Sequence, residues 1–137
     1  MRVFLDSSAF AKRYIEETGS QSVDDICKEA TELCLSVICI PELISALNRR
    51  VREKCLSQKN YTTIKKALSE DVQDITIINL TPEVITKTTG LLEDNALRAM
   101  DALHVACALA WGAELFVSSD KQQIIAAGKS GLITKII

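Results

Sequence analysis

Arg2-Val3-Phe4-Leu5-Asp6 is the stretch of sequence that decides the fold of this chain. Val3, Phe4 and Leu5 form an unbroken apolar run that is too short for a helix, and a carboxylate follows it directly. A short apolar run that ends in polar residues is typical of a strand buried on both faces, in the middle of a parallel sheet. Open α/β sheets bind their ligands at the carboxyl ends of the strands, so Asp6 is predicted to lie at a functional edge.

The rest of the chain alternates between short apolar runs and segments with helical spacing. Further strands are predicted over residues 33–39, 75–78, 115–117 and 132–137. Helices are predicted over residues 8 to 14 or 15, with Ser8 as the cap; 20 to 31, with Ser20 or Ser22 as the cap; 41–55; 57–72; 81 to 90 or 94; 101–111; and 122–127. Thr81 and Pro82 are a predicted helix start, and Gly112 is a predicted helix end. Alternating strands and helices favour right-handed crossovers and a parallel sheet covered on both faces. The predicted fold is therefore α/β, a three-layer α/β/α domain whose mainly parallel sheet has four to five strands, formed by all 137 residues as a single domain.

Composition and charge exclude several classes of protein for this chain. The formal charge of −2 and pI near 5.4 argue against a chain that coats nucleic acid by bulk electrostatics, although they allow a local basic patch. No apolar run is long enough to span a bilayer, and no signal-peptide core precedes Asp6, so we expect a cytoplasmic protein with no membrane partner. The five cysteines show no C-x-x-C spacing, which predicts reduced thiols. With His104 as the only histidine, a zinc site of thiolates and imidazoles is not expected.

Four carboxylates stand at the boundaries of predicted elements rather than along exposed helix faces. Asp6 follows the first strand, Glu42 opens the third helix, Asp101 opens the long apolar helix, and Asp120 follows the fourth strand. Carboxylates packed together repel one another and take up protons unless a cation neutralises them. A donor set made only of oxygen favours Mg²⁺ or Mn²⁺. The pattern predicts that the four acids hold one or two such ions, which suit in-line displacement at phosphorus.

Each acid taken alone also fits a purely structural role. Asp101 fits a helix N-cap, and Glu42 fits a favourable negative charge in a first helical turn. Asp6 and Asp120 fit ordinary turn residues. It is the joint placement of all four in one alternating fold that favours the metal site.

Four short motifs carry a resemblance to a known family. They are Asp6-Ser7-Ser8-Ala9, Pro41-Glu42-Leu43, Asp101-Ala102-Leu103-His104 and Val117-Ser118-Ser119-Asp120. A chain with these motifs in this order resembles a PIN domain, and in particular the small VapC-type toxins of prokaryotic toxin–antitoxin pairs. A stretch common in that group, Tyr14-Ile15-Glu16-Glu17 followed by Gly19-Ser20, is present as well, and the resemblance extends from Arg2 to Ile133.

The resemblance implies a metal-dependent endoribonuclease in which the first and fourth strands are neighbours. It implies that Asp6, Glu42, Asp101 and Asp120 are the catalytic, metal-binding acids, with Mg²⁺ as cofactor and Mn²⁺ able to substitute. Ser118 matches the small hydroxyl residue of the last motif and is assigned to substrate binding. A water made acidic by the metal would attack the scissile phosphorus, leaving a 5′ phosphate and a 3′ hydroxyl. The implied partners are an RNA substrate and a cognate antitoxin protein.

Other residues near these motifs are candidates for supporting roles. Arg49 lies seven residues after Glu42, on the same side of the predicted helix and about 10 Å along its axis, where it would contact a neighbouring phosphate of the substrate. The alternative is that it belongs to a solvated helix face. His104, three residues after Asp101, is expected to hydrogen-bond beneath the site rather than to bind metal. For Arg98 and Lys12, screening of the acids and contact with substrate both stay open.

Two further predictions concern assembly and competing functions. Apolar residues on the helices between Leu43 and Leu68 favour a homodimer. The main alternative function is a PIN-like module that binds RNA or protein without catalysis. A phosphatase with an aspartyl nucleophile is disfavoured because Ser8 stands where its second aspartate belongs, and a nucleotide switch is disfavoured because there is no glycine-rich phosphate loop.

Overall fold

The computed structural model describes residues 1–137, which form five strands and seven α-helices. The strands are β1 (Arg2–Leu5), β2 (Glu32–Ser36), β3 (Thr76–Ile78), β4 (Leu115–Ser118) and β5 (Ile133–Ile136). The helices are α1 (Ser7–Ala11), α2 (Ser20–Glu29), α3 (Cys39–Arg52), α4 (Gln58–Asp71), α5 (Pro82–Asp94), α6 (Ala99–Trp111) and α7 (Lys121–Lys129), and a 3₁₀ turn (Val72–Asp74) follows α4. This alternation confirms the predicted α/β class.

The sheet is parallel throughout, with the strand order β3-β2-β1-β4-β5. Strand β1 is central: Val3 pairs with Leu33 of β2 on one side and with Leu115 of β4 on the other. The predicted adjacency of the first and fourth strands is thereby confirmed. Because β1 and β4 are parallel neighbours, the residues that follow them emerge side by side at one edge of the sheet.

Helices cover both faces of the sheet, since side chains alternate along each strand. Phe4 and Phe116 point to one face, where their rings stack with centroids 5.7 Å apart and pack against α5 and α6. Val3, Leu5 and Val117 point to the other face, against α1, α3 and α4. The apolar residues of α6 are buried almost all round, as expected of a helix packed between the sheet and α5. The three-layer prediction is confirmed.

Several predicted element boundaries are confirmed by their capping contacts. The Thr81 side chain accepts a hydrogen bond from the backbone N–H of Val84 and caps α5, with Pro82 as its first residue. Gly112 ends α6 with φ of 80°, a left-handed conformation that favours glycine. These caps are local, which is why the sequence alone reveals them.

Two boundaries differ from their predictions in ways that matter for the site. Helix α1 is shorter than predicted, and its N-cap is Asp6 rather than Ser8, because the Asp6 carboxylate accepts the Ala9 N–H at 2.9 Å. Strand β2 ends at Ser36, and α3 begins at Cys39, two residues earlier than predicted, so Glu42 is the fourth residue of α3, in its first turn.

The remaining general predictions concern thiols and membranes. All five cysteines are free. Burial raises the pKa of the Cys34 and Cys39 thiols to about 12, so both are neutral at physiological pH. None of the helices combines the length and the apolar character that crossing a membrane requires.

Candidate active site

The predicted acids lie at the carboxyl-end edge of the sheet, where α1, α3, α6 and α7 begin. Asp6 follows β1 and Asp120 follows β4, so adjacent strands deliver them. Asp101 comes from the first turn of α6 and Glu42 from the first turn of α3. The structure therefore brings residues far apart in sequence to one edge, although they form two hydrogen-bonded groups rather than one.

Asp6 is the most deeply buried of the acids, with 1% of its surface exposed. Its Oδ1 accepts from the Ala9 N–H and from Ser8 Oγ, at 2.9 and 2.8 Å. Its Oδ2 accepts from Ser118 Oγ at 2.8 Å and from Gln123 Nε2 at 3.0 Å. A carboxylate with this many donors is held in one orientation.

Burial raises the pKa of Asp6 above its ordinary value, although the nearby His104 and the hydrogen bonds from Ala9, Ser118 and Ser8 act in the opposite direction. A positive charge brought to this carboxylate would remove the cost of its ionisation. Asp6 is therefore an acid whose surroundings favour a cationic partner.

Ser118 is fully buried beneath Asp6. Its hydroxyl donates to Asp6 and accepts from the backbone N–H of Asp120 at 2.9 Å. The substrate contact predicted for Ser118 therefore does not hold, because the hydroxyl has no exposed surface and both of its hydrogen bonds are internal. Ser118 instead links Asp6 to the start of the Asp120 turn.

Glu42 belongs to a second group, with Ser7 and His104. Its Oε1 accepts from Ser7 Oγ at 2.7 Å and from His104 Nε2 at 2.6 Å. Burial pushes the pKa of Glu42 upwards, but the hydrogen bonds from His104 and Ser7 outweigh it and lower the pKa below the ordinary value. The predicted role of His104 as a hydrogen-bonding residue beneath the site agrees with this geometry.

Asp101 and Asp120 face one another across the space between α6 and α7. Asp120 caps α7 by accepting the N–H groups of Gln122 and Gln123, at 2.8 and 3.2 Å. Burial raises the pKa of Asp101, the charges of Asp120 and Asp6 raise it further, and Arg98 opposes them. Capping is therefore a real structural role for Asp120, whereas α6 is capped at Arg98 and not by Asp101.

Open clefts flank the acids on two sides. One, of about 310 Å³, is lined by Arg98, Asp101 and Asp120 among others. The other, of about 380 Å³, is lined by Glu42 and Arg49 among others. The predicted common orientation of Arg49 and Glu42 agrees with this shared cleft, and each of the two clefts presents an arginine beside the acids.

The basic residues near the acids differ in their freedom to bind a substrate. Arg49 is exposed and has no ion-pair partner, whereas Arg50 pairs with Glu17 at 3.9 Å. The Lys12 ammonium group is already hydrogen-bonded within the protein, since its Nζ donates to Thr18 O at 2.7 Å and to Glu17 at 3.2 Å. Of the alternatives left open by the sequence, Lys12 has a structural role, and Arg98 lies at the acids.

The carboxylate oxygens of this site suit a divalent cation chemically, but they are not arranged as a preformed cage. No group of three Asp, Glu, His or Cys side chains is arranged to hold a metal ion. The Asp6 oxygens bind Ser8, Ser118 and Gln123 instead. Mg²⁺ nevertheless keeps several waters and binds proteins through only one or two carboxylates, so a complete protein cage is not required. Asp6 and Asp101, which share the donor Gln123 Nε2, are the carboxylates best placed for it.

Three residues that support the acids, Ser7, Ser8 and Gln123, were not predicted as site residues from the sequence. Ser7 and Ser8 stand next to Asp6 in the first motif, and that adjacency was an available signal. Gln123 had no comparable signal, because a glutamine in an amphipathic helix is normally an exposed residue. Only the packing of α7 against α6 carries Gln123 between Asp6 and Asp101.

Comparisons with known proteins give matches over most of the chain. The family model described as "PIN domain" matches residues 3–129. Ribonuclease VapC45 of Mycobacterium tuberculosis is 29% identical over 110 residues, which cover 80% of this chain and 76% of that protein. The crystal structure of Mycobacterium tuberculosis VapC20, a sarcin-ricin loop cleaving toxin, superposes with a TM-score of 0.71 at 14% identity, covering 96% of each chain. A toxin–antitoxin complex from Klebsiella pneumoniae gives 0.70 at 16% identity, covering 98% of this chain and 99% of that one.

Proposed function

The chain belongs to the PIN domain family, and from that premise we propose that it is a Mg²⁺-dependent endoribonuclease and the toxin of a prokaryotic toxin–antitoxin pair. The observation that carries the proposal is that Asp6, which follows the central strand β1, and Asp101, in the first turn of α6, accept hydrogen bonds from the same donor, Gln123 Nε2. The 29% identical relative named as a ribonuclease supports the same activity.

In this proposal the acids divide the work by their surroundings. Asp6 and Asp101 provide the direct carboxylate ligands, and Asp120 adds negative charge beside Asp101. Glu42, whose lowered pKa keeps it ionised, contributes a further negative charge at the other side of the site. The bound Mg²⁺, for which Mn²⁺ substitutes, supplies charge neutralisation and acidifies water for attack on phosphorus.

The arginines on the two sides position the RNA. The exposed guanidinium of Arg49 lies in the same cleft as Glu42 and binds a backbone phosphate next to the one cleaved. Arg98 occupies the equivalent place beside Asp101 and Asp120. Phosphate contacts of this kind fix the register of the strand without selecting its sequence.

The proposed partners follow from the same family. A toxin of this kind requires a cognate antitoxin, and the similarity to a toxin–antitoxin complex supports one for this chain. The homodimer predicted from the apolar helices and the cytoplasmic location both remain part of the proposal. A groove lined by Ala11, Tyr14, Ile15, Leu43 and Leu47, between α1 and α3, is consistent with a protein partner on that side.

A PIN-like module without catalysis is the second candidate. The observation in its favour is that no three metal-ligating side chains are preassembled. All four family acids are nevertheless present, whereas a module that had lost catalysis would be expected to lack one or more of them. Cleavage assays separate the two functions.

The test is RNA cleavage by the purified protein with Mg²⁺, with EDTA, and with single acid-to-amide variants. Asp6→Asn and Asp101→Asn are each expected to reduce Mg²⁺-dependent cleavage by at least about 10²-fold, because each removes a charge required around the metal. Glu93→Gln, which neutralises an exposed acid on α5, is the matched control and should cleave normally.

Circular dichroism should show that the variants keep the fold. Undiminished cleavage by both Asp6→Asn and Asp101→Asn would remove the acids from the mechanism. The toxin role has its own readout: expression of the wild-type chain should arrest growth of a bacterial host, and expression of Asp101→Asn should not. Cleavage in vitro without growth arrest would keep the nuclease and reject the toxin.

A further inference from the structure

Gln123 is the only glutamine of this chain that is buried, with 3% of its surface exposed. It lies on α7, three residues after Asp120, on the face of the helix that contacts the acids. Buried glutamines are uncommon and are normally held by hydrogen bonds on both ends of the amide. Here only one end is held, and that asymmetry indicates what sets the orientation of the side chain.

The amide nitrogen of Gln123 makes two hydrogen bonds, one to each of two carboxylates. Nε2 lies 3.0 Å from Asp6 Oδ2 and 3.2 Å from Asp101 Oδ1. The amide must present its NH₂ group to these oxygens, since the reversed orientation would direct a carbonyl oxygen at two anions. Both N–H groups of Gln123 are therefore committed to acids on separate elements.

The carbonyl end of the same amide has no partner. Gln123 Oε1 is buried and accepts no hydrogen bond. An unsatisfied buried acceptor is unfavourable, so the attraction of the carboxylates for the NH₂ group must outweigh it. The side chain is oriented by the acids and not by its own packing.

A neutral amide is a weak substitute for a cation in this position. Asp101 shares its cleft with Asp120 and shares the Gln123 donor with Asp6, so three carboxylates lie close together. The amide dipole supplies two donors but no net charge, whereas a divalent cation would neutralise the carboxylates outright. Asp6 Oδ2 already accepts from Ser8, Ser118 and Gln123, so a cation that coordinated this oxygen would have to displace a donor.

We propose that Gln123 is a positioning residue that bridges Asp6 and Asp101 in the metal-free protein, so that binding of a divalent cation competes with its two hydrogen bonds. The inference rests on the proposed function and deepens it. In this role Gln123 keeps the two carboxylates aligned when no metal is bound, at the expense of metal affinity.

The first test compares Mn²⁺ binding by wild type, Gln123→Met and Gln73→Met, with the free ion measured by electron paramagnetic resonance. Methionine preserves side-chain length but has no N–H, so Gln123→Met is expected to bind Mn²⁺ about tenfold more tightly and to have a lower Tm without metal. Gln73 is the matched control: it is exposed, its side chain makes no hydrogen bond, and it precedes β3, at the edge of the sheet opposite the acids. Gln73→Met should match wild type in both measurements.

Unchanged or weaker Mn²⁺ binding by Gln123→Met would overturn the inference, and weaker binding would indicate that Gln123 is itself a ligand. Either outcome leaves the proposed nuclease standing, because the wild type still binds metal. Absence of Mn²⁺ binding by the wild type would overturn both proposals together.

A second measurement uses the wild-type protein alone and is independent of how the variant folds. The side-chain NH₂ signals of Gln123 in a ¹⁵N–¹H spectrum are expected to shift, and their exchange with water to accelerate, as Mg²⁺ is added. Signals that stay in place while other site resonances saturate with Mg²⁺ would show that the amide keeps its bonds to Asp6 and Asp101, which contradicts the competition.

Discussion

The His104 imidazole and the Glu42 carboxylate meet at 2.6 Å, between Nε2 and Oε1. Because a carboxylate only accepts, Nε2 must carry the hydrogen in this pair. His104 is almost fully buried, and its Nδ1 has no partner, so the ring has no other hydrogen bond to keep it in place besides the contacts of Nε2. A residue of α6 thereby orients the carboxylate of an acid on α3.

Removal of this donor should release Glu42. We expect His104→Leu to lower the free energy of unfolding at neutral pH by about 1.5–3 kcal/mol, the usual value of a hydrogen bond to a charged group. The pKa of Glu42 should rise toward its ordinary 4.5. The measurements are urea denaturation and an NMR titration of the Glu42 side-chain carboxyl.

The pH dependence follows from the sign of the Glu42 shift. Its pKa is lower in the folded than in the unfolded protein, so its stabilising contribution is present above the unfolded value and is lost as pH falls through the folded value. The deficit of His104→Leu should therefore be smaller in acid than at pH 7. An unchanged Glu42 pKa in the variant would contradict the contact.

Asp101 should behave in the opposite sense. Burial, then the charges of Asp120 and Asp6, raise its pKa, so the folded protein binds its proton more tightly than the unfolded chain does. Stability is therefore lost as pH rises from the unfolded value of 3.8 through the folded one. In EDTA at pH 7, Asp101→Asn should melt only slightly above wild type, because the carboxylate is partly exposed and solvent screens its charge, and the difference should diminish toward pH 4.

Addition of Mg²⁺ should reverse that order. A cation that binds only the folded state stabilises wild type by mass action, whereas Asp101→Asn gains little from it. Differential scanning fluorimetry with and without Mg²⁺ checks both halves, and Glu93→Gln serves as the control for removal of an exposed acid. A variant stabilised by Mg²⁺ as much as wild type would exclude Asp101 as a ligand.

Local signals explain how much of this fold the sequence could predict. The Val3–Leu5 run, the Thr81–Pro82 helix start and the Gly112 stop each depend on a few neighbouring residues, and all three are correct. The edge position of Asp6 and Asp120 then follows from parallel strands alone. These features required no knowledge of how one helix packs on another.

The parts that were missed depend on tertiary packing. Ser118 ends a strand, and its sequence position does not reveal that its hydroxyl turns inward beneath Asp6. The burial of Gln123 depends on α7 lying against α6, which no local pattern encodes. Asp6 follows the first strand as predicted, but its capping of α1 could not be separated from capping by Ser8 without the geometry.

Ser118→Ala should separate a structural effect from substrate binding. The variant leaves the Asp120 N–H and one Asp6 oxygen without their buried partner, which is expected to cost about 1–3 kcal/mol of stability. Because the hydroxyl does not reach the surface, kcat should fall while KM changes little. Ser130→Ala, which removes an exposed hydroxyl from the end of α7, should change stability by less than about 0.5 kcal/mol. A rise in KM without loss of kcat would restore the substrate contact that the structure excludes.

Arg49→Ala tests whether RNA crosses the edge on the Glu42 side. The guanidinium is exposed, lacks an ion-pair partner and lies in the cleft that Glu42 lines, so its loss removes a phosphate contact and little else. We expect KM for RNA to rise about tenfold with kcat nearly unchanged, which corresponds to about 1.4 kcal/mol of uniform binding. The slope of log binding affinity against log salt concentration should also become less steep, by the contribution of about one phosphate contact.

Arg50→Ala is the matched control for this prediction, because Arg50 is the next residue of α3 but pairs with Glu17 and lines the groove beside Tyr14. It should leave RNA cleavage unchanged. If Arg49→Ala and Arg50→Ala raise KM equally, the basic run acts only through its overall charge, and the geometry around Glu42 does not guide the substrate. If neither raises KM, the RNA approaches the acids from the Arg98 side, and Arg98→Ala becomes the variant that should impair binding.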